Sequence, residues 1–332
     1  MKTFPDQPAS RRIAEWTQQG VLRPEDTLEA LRLGNALPEP VQWRQFLSLL
    51  SLFAGIMALT AGVIFFFAFN WEQMGRFARF GLAQLLVLLP IVIYYRMPAD
   101  SLAAKGCLLA ASILLGALLA VVGQTYQTGA DPWQLFFAWA VLIIPWALKA
   151  RFQPLWLLWM LLLNVSAAAY FQTFGGIFGF LFYDPRDFLF LLLALNGVAL
   201  VTAEYGYNRK IEWLSSRWGL RLIAIACGGA LSSLSVIAVF DFDDRGALSF
   251  GLYLLFMTAG FWLWRHRHPD LVLLAAWVLS AIIVSATVIA RWVFELDEGA
   301  GFFLVSIAVI VMSATGAIWI RGLVQEFQGG EQ

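Results

Sequence analysis

The feature that most constrains this chain is a series of about ten apolar stretches, each roughly 16 to 24 residues long, separated by short polar segments. A helix of about 20 residues is long enough to cross the roughly 30 Å of hydrocarbon in a bilayer. Lipid offers no hydrogen-bond partners to the backbone, so only helices or closed barrels can span it. Barrel strands alternate apolar and polar residues, whereas runs such as residues 85–89 and 191–193 are uninterrupted. The sequence therefore predicts an all-α, polytopic integral membrane helix bundle.

Composition agrees with this class and excludes several others. Hydrophobic residues make up 60% of the chain and charged residues only 13%, about half the share usual in soluble domains. The formal net charge is zero, which gives no indication of a nucleic-acid partner. The two cysteines lie apart within predicted spans, and no nucleotide-binding loop, nucleophile elbow or HExxH motif is present. We therefore predict no metal and no cofactor, with the lipid bilayer as the certain partner.

The order of segments predicts three regions. Residues 1–45 form a polar leader that we interpret as a short helical hairpin, with helices at about 11–19 and 24–34. Residues 46–171 form a first membrane half with spans one to five, and residues 172–332 a second half with spans six to ten. The predicted spans are 46–69, 77–95, 102–122, 134–149, 153–171, 188–205, 219–240, 247–264, 270–291 and 301–321.

Orientation is predicted from the positively charged residues, because cytoplasmic loops carry an excess of Lys and Arg. With ten spans, 17 of the 22 basic residues fall on the side of both termini. The other side has only Arg76, Arg79, Arg186, Arg245 and Arg291. We therefore expect both termini to be cytoplasmic, so that the segment between spans three and four lies on the outer face.

That segment is the most distinctive polar stretch of the chain. Residues 123–133, with the sequence GQTYQTGADPW, contain no Lys or Arg and join two long apolar runs. Together with the end of span one, the segment collects polar and aromatic side chains at one membrane face. Our candidates for a ligand-binding site or a structural hinge are Asn70, Trp71, Glu72, Arg79, Gln124, Tyr126, Gln127, Asp131 and Trp139.

Local helix signals offer a simpler explanation for part of this cluster. Asp131 has the position of an N-cap, Pro132 that of a first helical residue, and Gln134 that of the capping-box partner. Asp184-Pro185-Arg186-Asp187 repeats this device before span six, and His268-Pro269-Asp270 is expected to open span nine from the inside. Capping alone would explain Asp131, whereas a functional interpretation predicts that it pairs with Arg79. Within span three, the small residues Ser112, Gly116 and Ala120 predict a face for close helix approach.

Other polar groups are weaker candidates. Gln84, Asn164 and Asn196 lie within spans, where hydrogen bonds between helices are more common than a solute path. Two acidic outer patches could hold a divalent cation, although outer loops poor in Lys and Arg look acidic in any case. These patches are Asp241, Asp243 and Asp244 after span seven, and Glu295, Asp297 and Glu298 after span nine.

Three features of the sequence resemble a known family. They are a leader with two helices, a first span that ends in Asn70-Trp71, and the stretch from Gly123 to Phe136, which runs on to Trp139-Ala140. The family is that of the bacterial membrane proteins catalogued as domain of unknown function 2157, and the similarity covers residues 10–150. The resemblance implies a location in the bacterial inner membrane and implies no biochemical activity.

Our leading hypothesis is a non-enzymatic inner-membrane protein whose outer-face polar cluster binds a small polar or lipid-derived ligand, or docks an envelope protein. One alternative is a transporter of a neutral or zwitterionic solute that uses Gln84, Asn164 and Asn196. Another is a membrane enzyme acting on a lipid-linked or glycan substrate at the periplasmic face, with Asp131 or Glu72 as base and Arg79 as anion holder. The sequence leaves open whether the protein is an enzyme.

Overall fold

The structure is a computed structural model that describes residues 9–34, 40–70, 72–126, 129–174, 184–211, 213, 217–294 and 298–329. Contacts between Cα atoms divide the chain into two compact units, one comprising residues 1–54 with 310–332 and the other residues 55–309. The three predicted regions, 1–45, 46–171 and 172–332, stay a prediction.

The described part of the chain is built from twelve α-helices joined by short connections. Ten of them, α3 to α12, are long and apolar enough to cross a membrane, which confirms the predicted fold class and number of spans. Each predicted span lies within its helix or extends at most two residues beyond it. The helices are α1 (Ala9–Gln18), α2 (Thr27–Leu33), α3 (Pro40–Asn70), α4 (Arg76–Arg96), α5 (Leu102–Tyr126), α6 (Pro132–Ala150), α7 (Gln153–Phe174), α8 (Pro185–Asn208), α9 (Arg217–Phe240), α10 (Asp244–Trp262), α11 (Leu271–Phe294) and α12 (Glu298–Gly329), with a π-helical turn (Leu263–Arg267) after α10.

The N-terminal helices α1 and α2 form the predicted hairpin. Gly20 follows α1 with a φ of +71°, a left-handed conformation that glycine adopts at little cost. Pro24 then opens a 3₁₀ turn that leads into α2. Ile13 of α1 is buried, and the Thr17 and Thr27 hydroxyls of the two helices lie 3.2 Å apart.

Within residues 55–309, α5 is a central helix of the first membrane half. It packs along α4 on one side and α6 on the other, and its small side chains Ala104, Ala111 and Ser112 are completely buried. The end of α3 joins this group because Phe67 packs in one apolar cluster with Ala83 of α4 and Val121 of α5. These contacts bring the ends of α3 and α5 and the starts of α4 and α6 to one side, which we call the Asp131 end.

The second half is arranged around α9, which packs against α8, α10 and α11. Neutral hydrogen bonds link the spans: Ser232 of α9 lies 2.7 Å from Ser280 of α11 through their hydroxyl oxygens, and the Trp277 indole donates to the Met257 carbonyl. Such bonds satisfy polar groups where lipid cannot. The starts of α8 and α10 lie together with the end of α9, because the Arg186 side chain donates to Asp241 and Asp243.

Candidate functional site: a cleft bounded by α3, α5 and α6

A cleft of about 1570 Å³ opens among α3, α5 and α6 near the Asp131 end. It exceeds the roughly 300–1,000 Å³ of ordinary small-molecule pockets. Most of its wall is apolar, and its polar side chains gather where the helices end. The described residues that line it are Ile64, Phe67, Ala68, Phe69, Glu72, Gln73, Ile113, Gly116, Ala117, Leu119, Ala120, Val121, Val122, Gly123, Gln124, Gly129, Ala130, Asp131, Pro132, Gln134, Leu135, Phe136, Ala138 and Trp139.

The floor of the cleft is fixed by close packing of Trp139 on α5. A Cβ atom at Gly116 would clash with the Trp139 ring, so the indole needs a glycine beneath it. The Trp139 Nε1–H donates a 2.6 Å hydrogen bond to the Ser112 carbonyl, and Phe136 stacks against the same ring. The predicted close-approach face of span three is thus confirmed at Ser112 and Gly116. It positions Trp139 as a rigid apolar surface.

The rim of the cleft carries five polar side chains from three segments. Glu72 and Gln73 follow α3, Gln124 lies in the last turn of α5, and Asp131 and Gln134 flank the start of α6. All except Asp131 are exposed, and Asp131 is half-buried. Two carboxylates and three amides therefore face one opening, and the described lining contains no Lys, Arg or His.

Asp131 does not use its carboxylate as a cap, contrary to the capping interpretation. Its backbone has the extended conformation of an N-cap and its carbonyl accepts from Gln134 N at 3.0 Å, but its side chain makes no capping hydrogen bond. The other predicted capping aspartates behave differently. Asp184 accepts from Arg186 N at 2.9 Å, and Asp270 accepts from Leu273 N at 3.3 Å. Capping therefore explains those residues and leaves the Asp131 carboxylate available to the cleft.

Three of the remaining candidates, Asn70, Arg79 and Tyr126, are not among the described residues that line the cleft. Asn70 donates its side-chain amide to the Phe66 carbonyl at 2.9 Å within α3. Tyr126 is exposed and stacks on Phe80 with ring centroids 5.4 Å apart. Arg79 is half-buried in the first turn of α4 and is not a lining residue. The predicted Arg79–Asp131 pair stays a prediction, and Trp71 and Gln127 lie outside the described residues.

The polar residues within spans satisfy one another instead of lining a path. The Asn196 amide donates to Asn164 Oδ1 at 2.7 Å, and Asn164 donates back to Asn196 Oδ1 at 3.3 Å. Each also donates to a carbonyl one turn earlier in its own helix. Gln84 is exposed on α4. The asparagines thus act as a link between α7 and α8.

Sequence reasoning missed the arginine that organises the acidic patch of the second half. Arg186, at the start of α8, donates from Nε to Asp184 at 2.6 Å, from Nη1 to Asp243 at 2.7 Å and from Nη2 to Asp241 at 3.2 Å. Its side chain is only 8% exposed. Arg245 adds a 3.0 Å contact to Asp187. We call Arg186, Arg245 and the four aspartates that they contact the arginine clasp. The sequence signal for it was the presence of opposite charges in Asp184-Pro185-Arg186-Asp187 and in residues 241–245.

The surroundings of Asp243 in the arginine clasp lower the pKa of its carboxyl group. The Gly246 backbone N–H, 2.7 Å from Asp243 Oδ1, together with the Arg186 guanidinium, holds the pKa of that carboxyl below its ordinary value. Asp241 and Asp243 thus already have a cationic partner. Among the described residues no group of three His, Cys, Asp or Glu side chains is placed to hold a metal ion. Glu295 and Asp297 lie outside those residues, as does the side chain of Glu298.

A second arginine cluster lies at the opposite end of the helices. The Asp270 side chain is completely buried and accepts from Arg221 Nε at 2.9 Å through Oδ2, while Arg217 Nε lies 3.5 Å from the same oxygen. Oδ1 caps α11 by accepting from Val272 N at 3.1 Å. This carboxylate joins the starts of α9 and α11, and its role is structural.

Ten apolar helices and a partly polar cleft at one end define a polytopic α-helical membrane protein with a space large enough for a lipid-sized ligand. A family model described as predicted membrane protein (DUF2157) matches residues 14–156, which confirms the resemblance over that part of the chain. The match includes every described residue of the cleft and ends just after α7 begins. No curated protein and no solved structure matches the chain.

Proposed function

We propose that this protein is a non-enzymatic ligand-binding protein of the bacterial inner membrane. Both termini lie in the cytoplasm, and the Asp131 end faces the periplasm, as the 17 to 5 distribution of basic residues favours. The ligand is an amphiphile whose polar head lies at the rim and whose apolar tail lies along the Trp139 floor. The cleft itself, apolar within the helices and polar only where they end, is the observation that carries this proposal.

The depth of the cleft suits a molecule from one leaflet. Eight residues separate Gln124 from Gly116 on α5, and eight separate Asp131 from Trp139 on α6. At 1.5 Å per residue, the floor lies about 12 Å below the rim. Half of a typical hydrocarbon layer is about 15 Å thick. A head at the rim and a tail reaching the floor would therefore match the depth of the surrounding lipids.

Two observations favour ligand binding over the alternatives. A transporter would need polar groups available within the membrane, yet Asn164 and Asn196 are occupied by each other. The enzyme hypothesis assigned Arg79 to hold an anion, yet Arg79 does not line the cleft. Electrostatic stabilisation of developing negative charge is usually a large part of such catalysis, and the described lining offers no cation for it.

Photolabelling of the full-length protein in nanodiscs tests the proposal. The probe is a dodecyl maltoside with a diazirine in its tail, and labelled peptides are mapped by mass spectrometry. We expect adducts to concentrate on residues 113–124 and 132–139, because the tail would lie between α5 and α6. An even distribution over all lipid-facing helices would contradict the proposal.

A pair of tryptophan substitutions provides the matched control. Ala120→Trp places a large ring inside the cleft, whereas Leu142→Trp places it on the exposed side of α6, outside the lining. We expect Ala120→Trp to reduce cleft labelling at least fivefold and Leu142→Trp to leave it unchanged. Equal labelling of the two variants would mean that the probe does not occupy the cleft.

A further inference from the structure

The rim of the cleft has a one-sided chemistry that restricts the head group of its ligand. Its polar side chains are the carboxylates of Glu72 and Asp131 and the amides of Gln73, Gln124 and Gln134. An ionised carboxylate can accept hydrogen bonds but cannot donate them, whereas an amide both donates and accepts. The described lining contains no basic side chain that could neutralise an anionic head. The charge of the rim therefore favours a cation.

Neither carboxylate is engaged within the described part of the chain. Asp131 is the predicted capping aspartate that does not cap. Among the residues that the structure describes, neither the Glu72 side chain nor the Asp131 carboxylate forms an ion pair or a hydrogen bond. In the second half, by contrast, Asp184, Asp241 and Asp243 share one buried arginine. The chain thus supplies a guanidinium to these structural acids, whereas the described lining of the cleft supplies none to Glu72 and Asp131.

We propose that the cleft takes an amphiphile with a primary ammonium head, and this inference rests on the proposed function. The ammonium lies between Glu72 and Asp131, and its N–H groups donate to their carboxylates and to the amide oxygen of Gln124. The tail lies on Trp139. Charge-assisted hydrogen bonds of this kind are stronger than neutral ones, and a partly desolvated rim strengthens them further.

A phosphate or sulfate head meets the opposite situation. It would place negative charge beside two carboxylates with no described cation to compensate, and like charges at short range repel. A neutral glycan head could hydrogen-bond to the same rim without the attraction between opposite charges. The order of preference is therefore ammonium, then neutral, then anionic.

Three probes with the same diazirine tail test this order, with dodecylammonium, dodecyl maltoside or dodecyl sulfate heads. The full-length protein is held in phosphatidylcholine nanodiscs at low salt. Labelling of the cleft peptides 113–124 and 132–139 is divided by labelling of residues 271–294, which corrects for unequal partitioning of the probes into the bilayer. We expect the ammonium probe to exceed the maltoside probe at least tenfold in this ratio, and the sulfate probe to fall below both.

Charge-neutral variants then assign the effect to the rim. Combining Glu72→Gln with Asp131→Asn should reduce the ratio of ammonium labelling to maltoside labelling to within about twofold. Asp244→Asn removes one exposed carboxylate outside the cleft and should leave the preference intact. Salt at 0.5 M should also weaken the preference, because partly exposed charges are screened.

The possible failures are distinguishable. If the maltoside and ammonium probes label the cleft equally, the ammonium inference is overturned while the proposed function stands. A preference for the sulfate probe, or one that survives the double substitution, also overturns it. If no probe labels the cleft above residues 271–294, the proposed function itself fails.

Discussion

The cleft and the arginine clasp each contain an aspartate at the start of a helix, on the same side of the bundle. The aspartate of the clasp is paired with an arginine, whereas that of the cleft is not paired with any described arginine. Asp131 and Asp184 each precede a proline that opens a helix. Asp184 caps its helix and accepts from the Arg186 guanidinium, whereas Asp131 does neither and faces a cleft. A shared sequence pattern thus produces a structural residue in one half and an available carboxylate in the other.

The difference follows from how each carboxylate is compensated for its loss of contact with water. Moving a carboxylate out of water is costly unless it is paired and hydrogen-bonded. In the clasp, a single arginine that is 8% exposed provides this compensation and draws α8 towards the loop between α9 and α10. At the cleft, Asp131 stays half-buried beside open space, so compensation can come from water or from a bound cation. The following predictions test whether the paired acids are structural and the cleft acids are not.

The largest effect is expected for Asp270→Ala, in the second half. The substitution leaves Arg221 and Arg217 without their buried counter-ion and removes the side-chain cap of α11. Removing one partner of a buried ion pair costs about 3–5 kcal/mol. Thermal unfolding in detergent should therefore show a large decrease in Tm. Asp244→Ala, on the exposed start of α10, is the control and should stay within about 0.5 kcal/mol of the original protein. Equal Tm values for the two variants would refute a structural role of Asp270.

A somewhat smaller effect is expected for Arg186→Leu. The Asp184, Asp241 and Asp243 carboxylates then lose the guanidinium that they share. Hydrogen bonds to charged groups contribute about 1.5–3 kcal/mol, and two of the partners remain partly exposed, so we expect a loss of about 2–3 kcal/mol. Arg76→Leu, at an exposed position in the first turn of α4, is the control and should leave Tm nearly unchanged. A Tm of Arg186→Leu equal to that of the control would show that the clasp is not needed for stability.

The sharpest form of the comparison substitutes the two capping positions themselves. Asp184→Ala removes a working cap and should cost about 1 kcal/mol or more. Asp131→Ala removes no cap and should change stability by less than about 0.5 kcal/mol. Both variants are measured by thermal unfolding under one set of conditions. A larger loss for Asp131→Ala would mean that its carboxylate stabilises the fold, and its availability for a ligand would then be in doubt.

These contrasts also show which features of the protein could be predicted from sequence. The ten spans were predictable because apolar length is a local property, and each predicted stretch lies within its helix or extends at most two residues beyond it. The caps at Asp184 and Asp270 were predictable because a cap involves neighbours two or three positions away. The small-residue face at Gly116 followed from helical spacing.

The cleft and the clasp were less accessible because they depend on tertiary arrangement. Arg186 bonds to residues more than 50 positions away, and periodicity says nothing about such partners. The sequence placed Glu72, Gln124, Asp131 and Trp139 in one cluster, and these four do line the cleft. It did not indicate that the Asp131 side chain would make no capping hydrogen bond. The backbone of Asp131 does have the N-cap conformation, but the hydrogen bond depends on the orientation of the side chain.

The smallest expected effect concerns the pH dependence of the clasp. The Gly246 N–H and the Arg186 guanidinium lower the pKa of Asp243 in the folded protein below its ordinary value of 3.8. Since the folded state favours the ionised form, the stabilisation is fully present above the ordinary pKa. It is lost as pH falls through the lower, folded-state pKa. Measuring Tm from pH 6 to pH 2.5 should therefore show a component of acid destabilisation that Asp243→Asn lacks and that Asp244→Asn retains. If Asp243→Asn loses stability on acidification as steeply as Asp244→Asn does, Asp243 is not a pH-dependent part of the clasp, and the contrast with the cleft would then rest on Asp184 and Asp241 alone.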